Sequence, residues 1–242
     1  MTRPFDIATR HTVAFVEAHL SVPCHIVEVG CGNGEVATKL QSSGYRVTAL
    51  DADPDAIGAA RGIGVDAVEA TWPDFRADDP DAILFTRSLH HIHDLDAAVA
   101  GADEQLSSGG VVLVEDFDRH KIDQHTAEWF AAEVTTDPMR RLLGADATRM
   151  IGYMLDGMDP LAAWSAHHDH ELHSVESMAA TLSRSFVVET EPVAYLYRYL
   201  ITQMPPTDAA AEAVAEIFRK ESELITSGRI TPIGTRMVAR RP

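Results

Sequence analysis

The sequence predicts an α/β fold in which a mostly parallel sheet is covered by helices on both faces. Three observations predict it. Short apolar runs alternate with helical stretches through the first half of the chain. A glycine loop, "VGCGNG", joins the first of these runs to the helix that follows it. The hydrophobic share is an ordinary 45%, in a chain of 242 residues that can bury a full core.

Residues 5–20 carry Ile7, Val13, Phe15, Val16 and Leu20 at roughly helical spacing. Apolar runs follow at 25–29, 46–50, 65–69, 81–86 and 110–114, with helical stretches at 35–42, 54–61 and 94–106 between most of them. Right-handed crossovers bring the strand C-termini to one edge, where such sheets bind ligands. After residue 118 the alternation stops. Residues 120–173 read as a helical insertion, broken near Pro138, Gly144 and Pro160, and expected over the active-site edge. A helix at 174–184 precedes a strand at 185–190. Residues 208–226 form a helix with Val214, Ile217, Phe218, Leu224 and Ile225 on one stripe, closed by Gly228. A strand at 230–239 ends the chain. No repeat or low-complexity linker divides it, so 1–242 is read as a single domain.

The formal net charge of −17 argues against nucleic acid as a partner, because phosphate binding needs clustered Lys and Arg. The pair Arg240 and Arg241 is too small a cluster to serve. No apolar run has the length of a signal-peptide core or a membrane span, so a cytoplasmic protein without a membrane partner is expected. Cys24 and Cys31 are then expected as reduced, mostly buried thiols.

A dinucleotide fingerprint would place its third glycine at position 35, but Glu35 stands there, where a pyrophosphate would rest on helix amides. Residues 25–38 contain no Lys or Arg. The loop therefore suits a cationic nucleoside without phosphate, such as S-adenosylmethionine. Asp51, ending the second strand, can accept both ribose hydroxyls as charge-assisted bonds. A tight turn for the glycines, and a capping or surface acid at 51, are the plainer alternatives.

In order along the chain, "VEVGCGNG", "LDADPDA", "DAILFTRSLHHIHD" and "LSSGGVVLVEDF" resemble the motif set of class I S-adenosylmethionine-dependent methyltransferases, over about residues 25–118. The resemblance implies a Rossmann-like seven-stranded sheet with an antiparallel last strand, and S-adenosyl-L-methionine as cofactor. It implies that Glu28, Gly30, Gly32 and Gly34 line the methionyl and ribose end, that Asp51 takes the ribose, and that Ala52 touches the adenine edge. Thr71 stands where the family usually has an acid, so Trp72 stacking or a backbone contact would serve the adenine; packing alone is the alternative for both. Arg87 and Ser88 would face the sulfonium and carboxylate region.

Methyl transfer needs alignment, and a base only where the acceptor must lose a proton. The family resemblance implies that the first residue of the "HH" pair faces the acceptor and the second packs inward, so His90 is expected as the base or acceptor-orienting group, with Glu115 next in line. Capping and packing is the alternative for both histidines. In the insertion Met150, Met154 and Met158 share a helical face, as core or as an adaptable apolar lining. Residues 167–173, "HHDHELH", offer His167, Asp169, His170 and His173 at spacings that share a helix face, yet methyl transfer needs no metal and none is expected; one of these histidines reaching toward the acceptor is the alternative. The expected activity is methylation of a small apolar or aromatic molecule. A cofactor-binding cyclase that keeps the methyl, or a non-catalytic subunit, are the alternatives.

Overall fold

The computed structural model describes residues 2–143, 147, 149–168 and 172–242. In chain order the elements begin with α1 (Pro4–His19), β1 (His25–Val29), α2 (Glu35–Ser42), β2 (Arg46–Asp51), α3 (Pro54–Gly62), β3 (Ala67–Glu69) and β4 (Ala82–Thr86). There follow α4 (Leu95–Gln105), β5 (Val111–Phe117), α5 (Gln124–Val134), α6 (Asp137–Leu143), α7 (Arg149–Leu155), α8 (Pro160–His167) and α9 (Val175–Leu182). The chain ends with β6 (Val187–Val193), α10 (Asp208–Thr226) and β7 (Gly234–Arg240). It folds as two compact units, one of residues 9–116, 172–191 and 235–242, the other of 1–8, 117–171 and 192–234.

The first unit is built on the sheet, ordered β3-β2-β1-β4-β5-β7-β6. The pairings from β3 through β5 are parallel. Just past the C-terminal end of β7, Arg241 binds the Leu106 and Ser107 carbonyls before β5, whereas Arg236 near the start of β7 reaches Glu115 toward the end of β5. The strand thus runs antiparallel to β5. β1, β4 and β5 are buried along their whole length, as strands covered on both faces must be. Alternate residues face opposite cores. Ile26, Val47, Ala49 and Leu84 pack with Val16 of α1, Leu40 of α2 and Ile57 of α3. Val27, Leu50, Ile83 and Phe85 pack with Val99 of α4 and Met178 of α9.

Helix starts follow the side chains before them. Asp53, Asp94, Asp123, Asp159, Ser174 and Thr207 each accept from a backbone N–H of the first turn of α3, α4, α5, α8, α9 and α10. α2 differs: its N-cap is Gly34, at φ 81°, with no side chain over the helix end.

The second unit is helical. The stretch read as one insertion forms α5 to α8, and residues 192–234, which the sequence reading left outside it, belong to the same unit. Within it Glu221 of α10 is buried and accepts the backbone N–H groups of Tyr195, Leu196 and Tyr197, at 2.6, 2.8 and 3.1 Å. These begin a 3-10 turn, Leu196–Leu200, that carries no sequence periodicity. Among the described residues no helix is long and apolar enough to cross a membrane.

Candidate functional site

A cavity of about 410 Å³ opens in the sheet unit at the C-terminal ends of β1, β2, β3 and β4. That is within the range of small-molecule sites. Of the residues singled out in the sequence, Gly30, Asp51, Ala52, Thr71, Trp72, Arg87 and Ser88 line it. Glu28, Gly32, Gly34, His90 and Glu115 do not, and His91, Ile92 and His93 line it instead.

The glycines answer to local geometry. Gly30 has φ 74°, and a Cβ there would lie 2.5 Å from Ser88 Cβ. Gly34 has φ 81°, and its Cβ would lie 2.9 Å from that of Ala60. Gly32, at φ 53°, has no atom within 4 Å of a Cβ, so its bare backbone faces open space. Its N–H donates to Asp51 Oδ2 at 2.8 Å, and Asp51 Oδ1 accepts the Asp53 N–H at 3.0 Å. A carboxylate has about four lone-pair sites, so acceptor capacity remains for two hydroxyls.

Beneath the loop, Glu28 is buried and accepts the Thr86 hydroxyl at 3.3 Å through Oε1. Its Oε2 is buried without a hydrogen-bond partner. Burial pushes its carboxyl up to about 8, against smaller opposing effects of the Thr86 bond and the Arg87 charge. Ser88 Oγ donates to the Val29 carbonyl at 2.5 Å, pinning β4 to β1 at the cavity floor. Thr71 is already engaged, donating its hydroxyl to Asp74 at 2.7 Å. Trp72 is 7% exposed, donates from its indole to the Ala98 carbonyl at 3.0 Å, and meets Phe85 edge-on. Packing therefore holds this ring, and only part of it reaches the cavity.

The two histidines exchange the places expected of them. His90 is 4% exposed, with Nδ1 2.5 Å from Asp116 Oδ1 and its backbone N–H on Oδ2 at 3.3 Å. A carboxylate only accepts, so Nδ1 carries the proton. His91 is exposed, lines the cavity, and has its ring centroid 4.0 Å from that of His90. The reason is the 3-10 turn Leu89–His91: three residues per turn send Leu89 and His90 inward and His91 out. Glu115 is 1% exposed and accepts the Thr12 hydroxyl at 2.7 Å and Arg236 Nε at 2.8 Å. It ties α1 and β7 to β5, away from the cavity. No local pattern in the sequence marked His91 over His90.

The run 167–173 does not form one helix face, because α8 ends at His167 and His168 caps it. Asp169 and His170 lie outside the described residues. His173 donates its backbone N–H to the His90 carbonyl at 3.1 Å. Among the described residues no group of three or more His, Cys, Asp or Glu is placed to hold a metal. Met150 and Met154 are buried, whereas Met158 lies beyond the end of α7 and is 42% exposed.

A family profile described as "Methyltransferase domain" matches residues 7–149, more than half of the chain. The chain belongs to this methyltransferase family. The methyltransferase is similar to the ubiquinone biosynthesis O-methyltransferase of Xylella fastidiosa (strain 9a5c), at 30% identity over 162 residues covering 63% of each chain. The match thus spans less than two thirds of that relative's length. The namesake from Xanthomonas campestris pv. campestris (strain B100) is 26% identical over 68% of this chain and 70% of its own. Among solved structures, a SAM dependent methyltransferase from Archaeoglobus fulgidus superposes with a TM-score of 0.57 at 12% identity, over 98% of this chain and 94% of that one. The geranyl diphosphate C-methyltransferase of Streptomyces coelicolor A3(2), in complex with S-adenosyl-L-homocysteine, gives 0.56 at 14%, over 96% and 76%. At such identities the likeness is one of fold, and it is the Rossmann-like fold that the motifs imply.

The residues present fit the family's cofactor, S-adenosylmethionine. The bare face at Gly32 admits close approach, Asp51 keeps acceptor sites, and Glu35 at the start of α2 repels phosphate.

Proposed function

We propose that this methyltransferase moves the methyl group of S-adenosylmethionine to a small molecule with an apolar or aromatic body, in the cytoplasm, with neither nucleic acid nor membrane as partner. The observation that carries the reading is the bond from Gly32 to Asp51, a carboxylate that lines the cavity, in a glycine loop with no basic residue. When bound, the cofactor supplies an electrophilic methyl on a sulfonium that is already a good leaving group. The chain's own work is then alignment and proton removal. Gly32, with open space where a Cβ would stand, admits the ligand, and Asp51 orients it. The relatives' name, O-methyltransferase, supports a hydroxyl as the acceptor group. A hydroxyl must lose its proton, and of the two histidines that line the cavity His91 is the one that rests on His90, which Asp116 holds. Glu115, held by Arg236 and Thr12, takes no part in this reading.

Calorimetric titration with S-adenosylmethionine and S-adenosylhomocysteine, followed by turnover on phenols with detection of S-adenosylhomocysteine, tests it. Failure of both nucleosides to bind, with binding of a nicotinamide dinucleotide, overturns it.

A further inference from the structure

Arg87 is an anomaly of the cavity wall. It sits at φ 60°, a left-handed conformation in which a residue with a Cβ is strained and glycine is not. Its backbone N–H is used, donating to the Glu115 carbonyl at 2.8 Å. Its side chain is not: Nε is buried with no hydrogen-bond partner, and no carboxylate pairs with it among the described residues. A guanidinium does not lose its charge, so a buried N–H of this kind calls for an acceptor. The neighbouring acid makes no hydrogen bond to it: Glu28 Oε1 takes the Thr86 hydroxyl, and its Oε2 is a buried atom without a partner as well.

The same stretch of wall carries His91 and His93, while the acid of the lining, Asp51, lies on β2 and is bound to Gly32 and Asp53. S-adenosylmethionine is a net cation at neutral pH. Loaded with it, a cavity holding Arg87 and Asp51 has positive charge in excess, close to where a nucleophile must approach. Charge-assisted bonds from a planar guanidinium favour a carboxylate as the group that offsets this excess. We propose that Arg87 is the seat of a carboxylate on the methyl acceptor, so that the acceptor class is an anionic small molecule, a hydroxy acid rather than a neutral phenol. The proposal rests on the methyltransferase reading above.

The test uses the whole chain as wild type, Arg87→Gln and Arg87→Gly, the last matching the left-handed backbone. Each is saturated with sinefungin, a cationic, unreactive analogue of the cofactor. Benzoate, salicylate and 4-hydroxybenzoate are then titrated in, each against its own amide. Wild type is expected to bind at least one acid about tenfold or more tightly than its amide, and both variants to lose that preference. No preference in wild type, or a preference kept in the variants, overturns the proposal. A second arm compares S-adenosylhomocysteine with 5′-methylthioadenosine, which lacks the amino-acid group. If the variants weaken the first and not the second, the cofactor's own carboxylate occupies Arg87 and the acceptor assignment is overturned. If wild type binds no adenosyl ligand at all, the methyltransferase reading has failed, a result distinct from any of these.

Discussion

The buried His90 ring donates from Nδ1 to the Asp116 carboxylate at 2.5 Å, and the His91 ring lies tilted against it, 4.0 Å between centroids, at the cavity wall. The pair assigns different work to adjacent residues. His91→Ala is expected to lower turnover about 10²–10⁴-fold, the usual effect of losing a general base. Cofactor affinity by calorimetry should stay nearly unchanged, because a base acts in the transition state. His90→Ala should instead destabilise the fold by about 1–3 kcal/mol in urea unfolding, since Asp116 loses a buried donor. Normal turnover in His91→Ala would end its role as the base.

Asp51→Ala is expected to weaken S-adenosylhomocysteine by more than about 1 kcal/mol, because charge-assisted bonds are lost and the Gly32 amide loses its acceptor. Titration calorimetry reads this directly. An unchanged affinity would remove Asp51 from the site.

Gly30 and Gly32 separate packing from backbone strain. Gly32→Ala adds a methyl in open space and should cost about 1–2 kcal/mol for the left-handed backbone alone. Gly30→Ala pays that strain and also drives its Cβ against Ser88, for about 2–5 kcal/mol together. Chemical denaturation that gave equal losses would contradict the close approach at Gly30.

Glu28 makes stability fall with rising pH. Its folded value, about 8, lies above the ordinary 4.5, so the folded chain holds this proton more tightly than the unfolded one. The stabilisation is complete below 4.5 and is lost as pH rises through about 8. Glu221, pushed up to about 7 by burial, acts in the same direction. Glu28→Gln, which imitates the protonated form, should therefore gain on wild type in thermal midpoint between about pH 5 and pH 9. Midpoints that change in parallel across that interval would place an ionised carboxylate at position 28.

Glu221→Ala should cost more than roughly 3 kcal/mol, because three backbone N–H groups lose their acceptor and each buried orphan costs about 1–3 kcal/mol. Faster hydrogen exchange at Tyr195, Leu196 and Tyr197 would accompany it. Protection equal to wild type would show that another acceptor takes over.

The central strands were legible because burial on both faces writes a continuous apolar run, as in "HIVEV" and "AILFT". β6 was placed only roughly, at 185–190 rather than Val187–Val193, because an edge strand is mostly exposed and carries Glu189, Glu191 and Pro192. The glycines and Asp51 were legible because local backbone geometry demands them. His91 was not. The 3-10 turn sends one histidine in and the other out, and the inward one is held by Asp116, 26 residues away in the chain, a pairing that leaves no local pattern. For the same reason the partnership of Glu221 with the turn after Ala194 could not be read, nor the joining of 192–234 to the helices α5 to α8.

The Gly30 and Cys31 amides bond to the Leu50 carbonyl and the Gly32 amide to Asp51, so each finds its acceptor within β2 itself. The glycine loop is thus ordered by the same cooperative event that pairs β1 with β2, and a ligand arriving there has little left to organise. For a ligand seated on this loop, affinity would inherit the stability of the sheet, and a change that loosens β1 from β2 would weaken it even from a distance. Mass action makes the dependence mutual, because a ligand held only by the ordered loop draws the chain toward its folded state. The cellular concentration of the methyl donor becomes one of the quantities that keeps this sheet assembled.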